Sequence, residues 1–138
     1  MHIVTQRDAL SGAICAFNPY SLEFGQRTAF FDIEDATSFT ADRTEFLGRN
    51  GSMAHPVAMR RAHLSNKIGV SMDPCAAMRV TVDLPSGIEK EVVFRLGTLG
   101  SYDRNDTGAI SAQIKALQGL SVARESLKAV RAYWDHTL

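Results

Sequence analysis

The sequence lacks an apolar run of the ~18 to 20 residues that a membrane-spanning helix needs, and its first residues lack the apolar core of a secretory signal. An excess of one charge is also absent, because fifteen Lys and Arg balance fifteen Asp and Glu. A general nucleic-acid-binding surface requires a basic excess, so that class is disfavoured. We therefore expect a soluble segment with no nucleic-acid partner and no direct membrane contact.

Cysteine is scarce, with Cys15 and Cys75 as the two examples. Neither their number nor their spacing suits a disulfide framework, which favours a reducing, cytosol-like compartment. The length of 138 residues, with 45% hydrophobic and 22% charged residues, is typical of one globular domain or a piece of a larger one. A net charge of zero leaves little self-repulsion, so we expect the chain to form a homo-oligomer.

Strand patterns occupy most of the chain up to about residue 100. Short apolar runs followed by turn residues predict strands at residues 13–17 and 27–33. The clearest pattern is the apolar–polar alternation of residues 78–84 and 88–96 around Pro85-Ser86-Gly87. It predicts a β-hairpin with one apolar face that another layer must cover.

A long irregular loop, at about residues 40–70, separates these strand patterns. Gly48, Gly51 and Pro56 interrupt any longer helix, so only short helical turns are predicted, at residues 42–47 and 56–61. A structured loop of this length usually binds something or covers an interface.

Helical spacing replaces the alternation after about residue 100. A short helix is predicted to end near Gly119, and a second is predicted to run from an N-cap at Ser121 towards Thr137. The second helix is amphipathic, with one apolar stripe: Ala123, Leu127, Val130 and Trp134. This stripe can cover the hairpin or meet a following domain. The chain is thus predicted to divide into a β part, residues 1–100, and a helical linker region, residues 101–138.

Catalytic chemistry is not visible in the sequence. His55 and His63 are spaced for neither a helical zinc pair nor a zinc finger, and Cys75 is expected to be a buried small hydrophobe. Three acids at a predicted strand end are expected to be solvated turn residues: Asp32, Glu34 and Asp35. We therefore predict no catalytic residue, no metal site and no cofactor.

The densest polar stretch, DRTEFLGRN, lies in the long loop and has two interpretations. In the first, Phe46 and Leu47 anchor the loop while Arg43 and Glu45 make local ion pairs. In the second, the stretch contacts a saccharide or another subunit, because sugar sites combine polar groups with an apolar platform. The candidate residues for that role are Arg43, Glu45, Phe46, Arg49 and Asn50.

Several strings in this order resemble the region before the catalytic barrel in glycoside hydrolase family 94. They are FNPYSLEFGQRTAFFDI, SFTADRTEFLGRNGSM, DPCAA with the Pro-Ser-Gly turn, and the final LKAVRAYWDHTL. Together they cover nearly the whole chain. The cyclic β-1,2-glucan synthases of the family are more similar than its cellobiose and chitobiose phosphorylases.

The resemblance implies a fold that is mainly β with C-terminal helices, as part of an antiparallel β-supersandwich followed by two linker helices. The catalytic acid and the phosphate site of the family lie in an (α/α)6 barrel whose motifs are absent here. The parent protein would resemble a glucosyltransferase or glycoside phosphorylase of the bacterial inner membrane, with this segment on the cytoplasmic side. The barrel of the same parent chain is then the expected partner.

Two functions follow as alternatives. In the first, the segment frames the barrel and supports dimerisation without any turnover of its own. In the second, it is a carbohydrate-binding module for β-glucan chains. The second needs stacking platforms, and because Trp134 is expected to be buried, the available aromatics are Tyr20, Phe46 and Tyr102.

Overall fold

The computed structural model describes residues 2–70, 73–100 and 107–137. Within them lie six strands and three α-helices, in an order that confirms a mainly β fold with C-terminal helices. The elements are β1 (Val4–Arg7), β2 (Ile14–Phe17), β3 (Thr28–Ile33), β4 (Ala36–Asp42), α1 (Arg43–Leu47), β5 (Pro74–Val80), β6 (Phe94–Leu99), α2 (Thr107–Ala116) and α3 (Leu120–Thr137).

The strands form two antiparallel sheets. The four-stranded sheet has the order β1-β2-β3-β6, and the two-stranded sheet pairs β4 with β5. Glu34 and Asp35 make the tight connection from one sheet to the other, where Asp35 has a φ of 58°. Asp tolerates this left-handed conformation better than most residues, so the chain can change sheets within two positions.

Two apolar clusters stabilise these layers. α2 covers one face of the four-stranded sheet, in a cluster of Ala13, Cys15, Phe30, Ile110 and Ile114 with Leu99 packed against it. A Cβ added at Gly97 would lie 2.7 Å from Phe30 Cε1, so the glycine makes room for the ring. The second cluster joins the long loop to the two-stranded sheet through Ala58, Leu64 and Ala77, with Phe46 and Cys75 against it.

Most local predictions are confirmed. β2 and β3 lie where apolar runs predicted strands, and the helical turns of the long loop are α1 and a 3₁₀ turn at Val57–Arg60. Neither β1 nor β4 was predicted, and the sequence of β4, ATSFTAD, has little apolar alternation. α3 begins one residue before the predicted N-cap Ser121, and the carbonyl of Gly119 accepts the hydrogen bond from Ala123 N, at 3.1 Å.

The predicted β-hairpin is wrong. β5 pairs with β4 and β6 pairs with β3, so the two halves of the alternation belong to different sheets. The turn itself exists, since Ile88 N donates to Pro85 O at 3.1 Å and Gly87 has a φ of 79°. Residues 81–90, which we call the arm, are all exposed and contain no strand. The arm connects the two sheets, because β5 before it and β6 after it each pair with a strand that is further away in the sequence.

The expectation that Asp32 is a solvated turn residue is also wrong. Its side chain is fully buried, opposite Arg95 in the β3–β6 register. Arg95 Nη1 lies 3.0 Å from Asp32 Oδ2, and Arg95 Nη2 lies 3.0 Å from Glu34 Oε1. We call this group, with Gln118, the Arg95 cluster. The partners are more than sixty positions apart in the sequence, so no local pattern could reveal them.

The Arg95 cluster also holds the helices. Arg95 Nε donates to the carbonyl of Leu117 at 2.7 Å, just after α2. Gln118 Nε2 donates to Asp32 Oδ2 at 3.1 Å, and the backbone N–H of Gly119 donates to the Glu34 carboxylate. The connection between α2 and α3 is therefore fixed to the sheet by charge-assisted hydrogen bonds, which are stronger than neutral ones.

Replacing Arg95 with Met should destabilise the fold strongly. The Arg95→Met variant leaves the Asp32 carboxylate buried without its cation, a change that typically costs ~3–5 kcal/mol. Arg124→Met is the matched control, because Arg124 pairs with Glu91 at the exposed surface and such pairs are worth ~0–1 kcal/mol. Urea denaturation at neutral pH measures both. Equally small losses in the two variants would contradict the structural role of the cluster.

Candidate functional site

The predicted site begins at the junction of β4 and α1. Asp42 is the N-cap of α1, and its Oδ1 accepts hydrogen bonds from Thr44 N at 2.9 Å and Glu45 N at 3.4 Å. An Asp at this position satisfies backbone donors that a helix start leaves free. α1 ends at Gly48, whose φ of 85° suits glycine. The five candidate residues therefore lie on or directly after one short helix.

Glu45 accepts hydrogen bonds from both sides of the loop. Thr40 Oγ1 and Ser65 Oγ both donate to Glu45 Oε2 at 2.5 Å, and Ser65 N donates to Oε1 at 2.8 Å. Arg61 adds an ion pair at 3.4 Å. Burial raises the pKa of Glu45, but the hydrogen bonds from Ser65 and Thr40 outweigh it and hold the pKa below its ordinary value. Glu45 therefore remains charged at neutral pH and stabilises the loop.

Asp42 and Lys67 fasten the other side of the loop. Lys67 Nζ lies 2.5 Å from Asp42 Oδ2, and this hydrogen bond lowers the pKa of Asp42. Both carboxylates of the region are thus kept ionised by internal partners. A general acid at neutral pH needs a raised pKa, so neither acid is suited to that role.

The structure separates the five candidate residues into two groups. Glu45 is held by the loop and Phe46 is packed on the second apolar cluster. The other three are exposed: Arg43, Arg49 and Asn50. Arg43 and Phe46 line a shallow depression of about 340 Å³ with Met53 and Cys75. This arrangement agrees with a structural loop anchor, and saccharide contact stays a prediction.

The two thiols are poor nucleophiles. Cys15 is buried and Cys75 is half-buried, and burial raises the pKa of each to about 11. Because the reactive species is the thiolate, both side chains are unreactive near neutral pH. They act as small apolar groups in their respective clusters.

The described part of the chain contains no cluster of three His, Cys, Asp or Glu side chains that could hold a metal ion. His55 and His63 are both exposed. Across residues 2–70, 73–100 and 107–137, no helix is long and apolar enough to cross a bilayer. The polar groups placed by the fold are mainly used to fasten loops and helices.

Apolar surface is more prominent than polar chemistry. An open groove of about 360 Å³ between the two sheets is lined by Phe46, Ala58, Met59, Leu64, Met78, Arg79, Val80 and Phe94. Phe94 and Leu96, which share one face of β6, are 59% and 81% exposed. The alternation in residues 92–96 marked these side chains as one face, but it did not show that the face is uncovered.

The expected burial of Trp134 is wrong, since its side chain is 52% exposed. Leu127 and Val130 are exposed to a similar degree, and the described side chains of α3 include no buried residue. The stripe therefore does not cover the predicted hairpin face. α3 is held near its first turns by the Glu34–Gly119 hydrogen bond and the Arg124–Glu91 pair, and its residues from 124 to 137 are all exposed. Of the aromatic platforms, Tyr20 is exposed, and Tyr102 lies outside the described residues.

Acid should weaken the loop through Glu45. A carboxyl whose pKa is lowered on folding stabilises the fold above its unfolded pKa, near about 4, and this contribution is lost as pH falls through the lower folded value. Stability measured from pH 7 to pH 2 should therefore fall less steeply for Glu45→Gln than for the parent chain. Glu89→Gln, in the exposed arm, is the control and should retain the parent's profile. Parallel curves for Glu45→Gln and the parent would contradict this assignment.

Comparison with known proteins adds two findings. The family model described as the glycosyl hydrolase 94 supersandwich domain matches residues 1–119. The cyclic β-(1,2)-glucan synthase NdvB of Rhizobium meliloti (strain 1021) is 32% identical over 134 residues, which are 96% of this chain. The chain spans only 4% of the length of that relative. The family match ends one residue before α3 begins at Leu120.

Proposed function

We propose that this chain, which belongs to the glycosyl hydrolase 94 family as a supersandwich domain, is a non-catalytic framing segment. Its parent protein would be a cyclic β-1,2-glucan synthase with glucosyltransferase or phosphorylase-like activity in a separate (α/α)6 barrel. The segment would position that barrel and support dimerisation. The parent would be a larger protein of the bacterial inner membrane, with this segment on the cytoplasmic side.

The uncovered stripe of α3 is the observation that carries this proposal. Its apolar side chains are half exposed although they share one face of an eighteen-residue helix. Such a surface is costly in water, which favours a protein partner over solvent. The helix starts where the family match ends, and the Arg95 cluster fixes that start. A barrel attached beyond α3 would therefore be held in a defined direction.

The contacts of the two C-terminal helices support a division of the chain into two parts. We propose that residues 1–100 form the β-sandwich portion and residues 101–138 the linker region. α2 packs its Ile110 and Ile114 into the core of the four-stranded sheet. Within the linker region, α2 thus serves as the anchor and α3 as the part that meets the barrel.

A β-glucan-binding module is the second candidate. Arg43, Arg49 and Asn50 are exposed, and Arg43 lies beside Phe46 in a shallow depression. Its weakness is that Phe46 also packs against the second cluster, which limits the ring area left for stacking. Amide chemical shifts that move at these residues when β-1,2-glucan oligosaccharides are added would support the module, and unchanged shifts would exclude it.

The framing role can be tested in a chimera. This chain would replace the matching 134-residue segment of the Rhizobium meliloti synthase, and glucan formation would be measured. We expect the chimera with Leu127→Asp and Val130→Asp to lose at least about tenfold of the unsubstituted chimera's activity, because each charge would have to be buried against the barrel.

Leu22→Asp is the matched control for the chimera. Leu22 is a fully exposed leucine between β2 and β3, beyond the end of the sheet opposite to the Arg95 cluster. The control should retain the activity of the unsubstituted chimera. Full activity with both substitutions on α3 would show that the stripe has no part in positioning the barrel.

A further inference from the structure

Charge is distributed unevenly along this neutral chain. Residues 43–70, which make up most of the long loop, contain five Lys and Arg side chains against a single acid, Glu45. This segment therefore has a formal net charge of +4, and the rest of the chain has a net charge of −4. All five cations are exposed: Arg43, Arg49, Arg60, Arg61 and Lys67. The neutral total, from which no membrane contact was expected, thus hides a basic surface.

Three of the five cations have no acid of their own. The other two are paired inside the loop, one with Glu45 and one with Asp42. Within the described part of the chain, no ion pair joins a carboxylate to the remaining three, which are Arg43, Arg49 and Arg60. A guanidinium group in this position can bind an external anion such as a phosphate group.

Local packing gives the basic part of the loop a defined shape. α1 ends at Gly48, where an added Cβ would lie 2.5 Å from Val57 Cγ2, so the end of α1 lies directly against the 3₁₀ turn. Ala58 of that turn is buried in the second apolar cluster, whereas Met59 and Arg60, which follow it, are exposed. The basic surface is therefore displayed by a folded segment that is anchored to the two-stranded sheet.

Exposed apolar side chains lie among these cations. Met53 and Met59 are 70% and 77% exposed. Met53 lines the same depression as Arg43, and Met59 directly precedes Arg60 in the 3₁₀ turn. Because methionine is unbranched and flexible, it can bury apolar surface without a partner of closely matching shape.

Cations interspersed with exposed apolar side chains suit the surface of an anionic bilayer. Lipid phosphates attract Lys and Arg, and apolar side chains are buried at the boundary between headgroups and acyl chains. A fluid headgroup layer adapts to scattered cations and flexible methionines. A protein partner must instead offer acids at matching positions, and a discrete phosphate site needs donors that converge on one anion.

We propose that the long loop rests on anionic phospholipid headgroups, with Arg49 and Arg60 paired to lipid phosphates and Met53 and Met59 inserted between headgroups. This inference rests on the part of the proposed function that puts the segment on the cytoplasmic side of the inner membrane. It names the surface of the segment that faces the bilayer there. A contact of this kind is reversible and is weakened by salt, because its cations are exposed.

Co-sedimentation of the 138-residue chain with lipid vesicles tests the contact. The vesicles contain phosphatidylethanolamine with about one quarter phosphatidylglycerol, which supplies the negative surface charge. The chain should sediment with these vesicles at low ionic strength and stay in solution with vesicles of phosphatidylcholine alone. About 1 M NaCl should release it, because the Debye length is then only ~3 Å. Equal binding to both kinds of vesicle would overturn the proposal.

A charge variant of the loop locates the contact. Arg49→Gln combined with Arg60→Gln should lower the partition coefficient by at least about tenfold, since each cation lost near an anionic surface weakens binding by about fivefold. Lys128→Gln combined with Arg131→Gln is the matched control, because it removes the same charge from exposed positions on α3. The control should change the partition coefficient by less than about twofold. Circular dichroism checks that each variant remains folded.

A second variant tests the apolar part of the contact. Met53→Ser combined with Met59→Ser keeps the charge of the loop and removes its most exposed apolar side chains. It should lower the partition coefficient by at least about threefold, because less apolar surface is buried at the bilayer. Unchanged binding of this variant would overturn the insertion of the methionines.

Two further arms distinguish other sources of binding. Inorganic phosphate, added at constant ionic strength, should not displace the chain from the vesicles, and displacement would indicate a discrete phosphate site and overturn the lipid contact. Binding that survives the loop charge variant but is lost with Leu127→Asp and Val130→Asp would assign the contact to α3 and would also overturn the proposal.

The outcome is separable from that of the framing role. A parent chain that fails to bind the phosphatidylglycerol vesicles overturns the lipid contact alone, because the framing role is measured by the activity of the chimera with substitutions on α3. Loss of the framing role in the chimera leaves the vesicle measurement unaffected, because that measurement uses the 138-residue chain without the barrel.

Discussion

The buried Arg95 guanidinium is the interaction on which the rest of the structure depends. It joins two paired strands of the four-stranded sheet, β3 and β6, to the end of α2 and, through Glu34, to the start of α3. A guanidinium suits this position because its planar fork of donors can reach several acceptors at once. The buried charges are paired within the cluster, which offsets the cost of burying them. The contacts that pair them also connect α2 and α3 to the sheet, so they fix the direction of the C-terminal helix.

Local features of the fold could be predicted from the sequence, and distant pairings could not. Apolar runs located β2 and β3, and helical spacing located α2 and α3, because each pattern is contained in one segment. The alternation around Pro85 identified strand-forming residues but not their partners, since β5 and β6 pair with strands about forty and sixty positions away. Asp32 was misjudged for the same reason, as its partner Arg95 is 63 positions away.

The candidate site shows a similar division. The polar loop of Glu45 was visible as a dense stretch of charge, and the anchoring of Phe46 was one of the two interpretations. Its main partner Ser65 lies twenty positions further along, in a segment without any pattern. The helical spacing of residues 120–137 predicted the amphipathic helix α3, but it could not show that the described part of this chain leaves its apolar stripe exposed. A hydrophobic pattern indicates that a face is suited to burial, but it does not indicate which surface buries it.

These features describe a module whose polar groups hold its own loops in place and whose apolar side chains on α3 and β6 are exposed. The Arg95 cluster fixes the direction of α3 relative to the four-stranded sheet. Spin labels at Leu22→Cys and Asp135→Cys, in a Cys75→Ala background, would give the distance distribution between sheet and helix by pulsed electron paramagnetic resonance. We predict one narrow distribution that broadens when Glu34→Ala is added. A distribution that is already as broad with Glu34 in place would contradict the account.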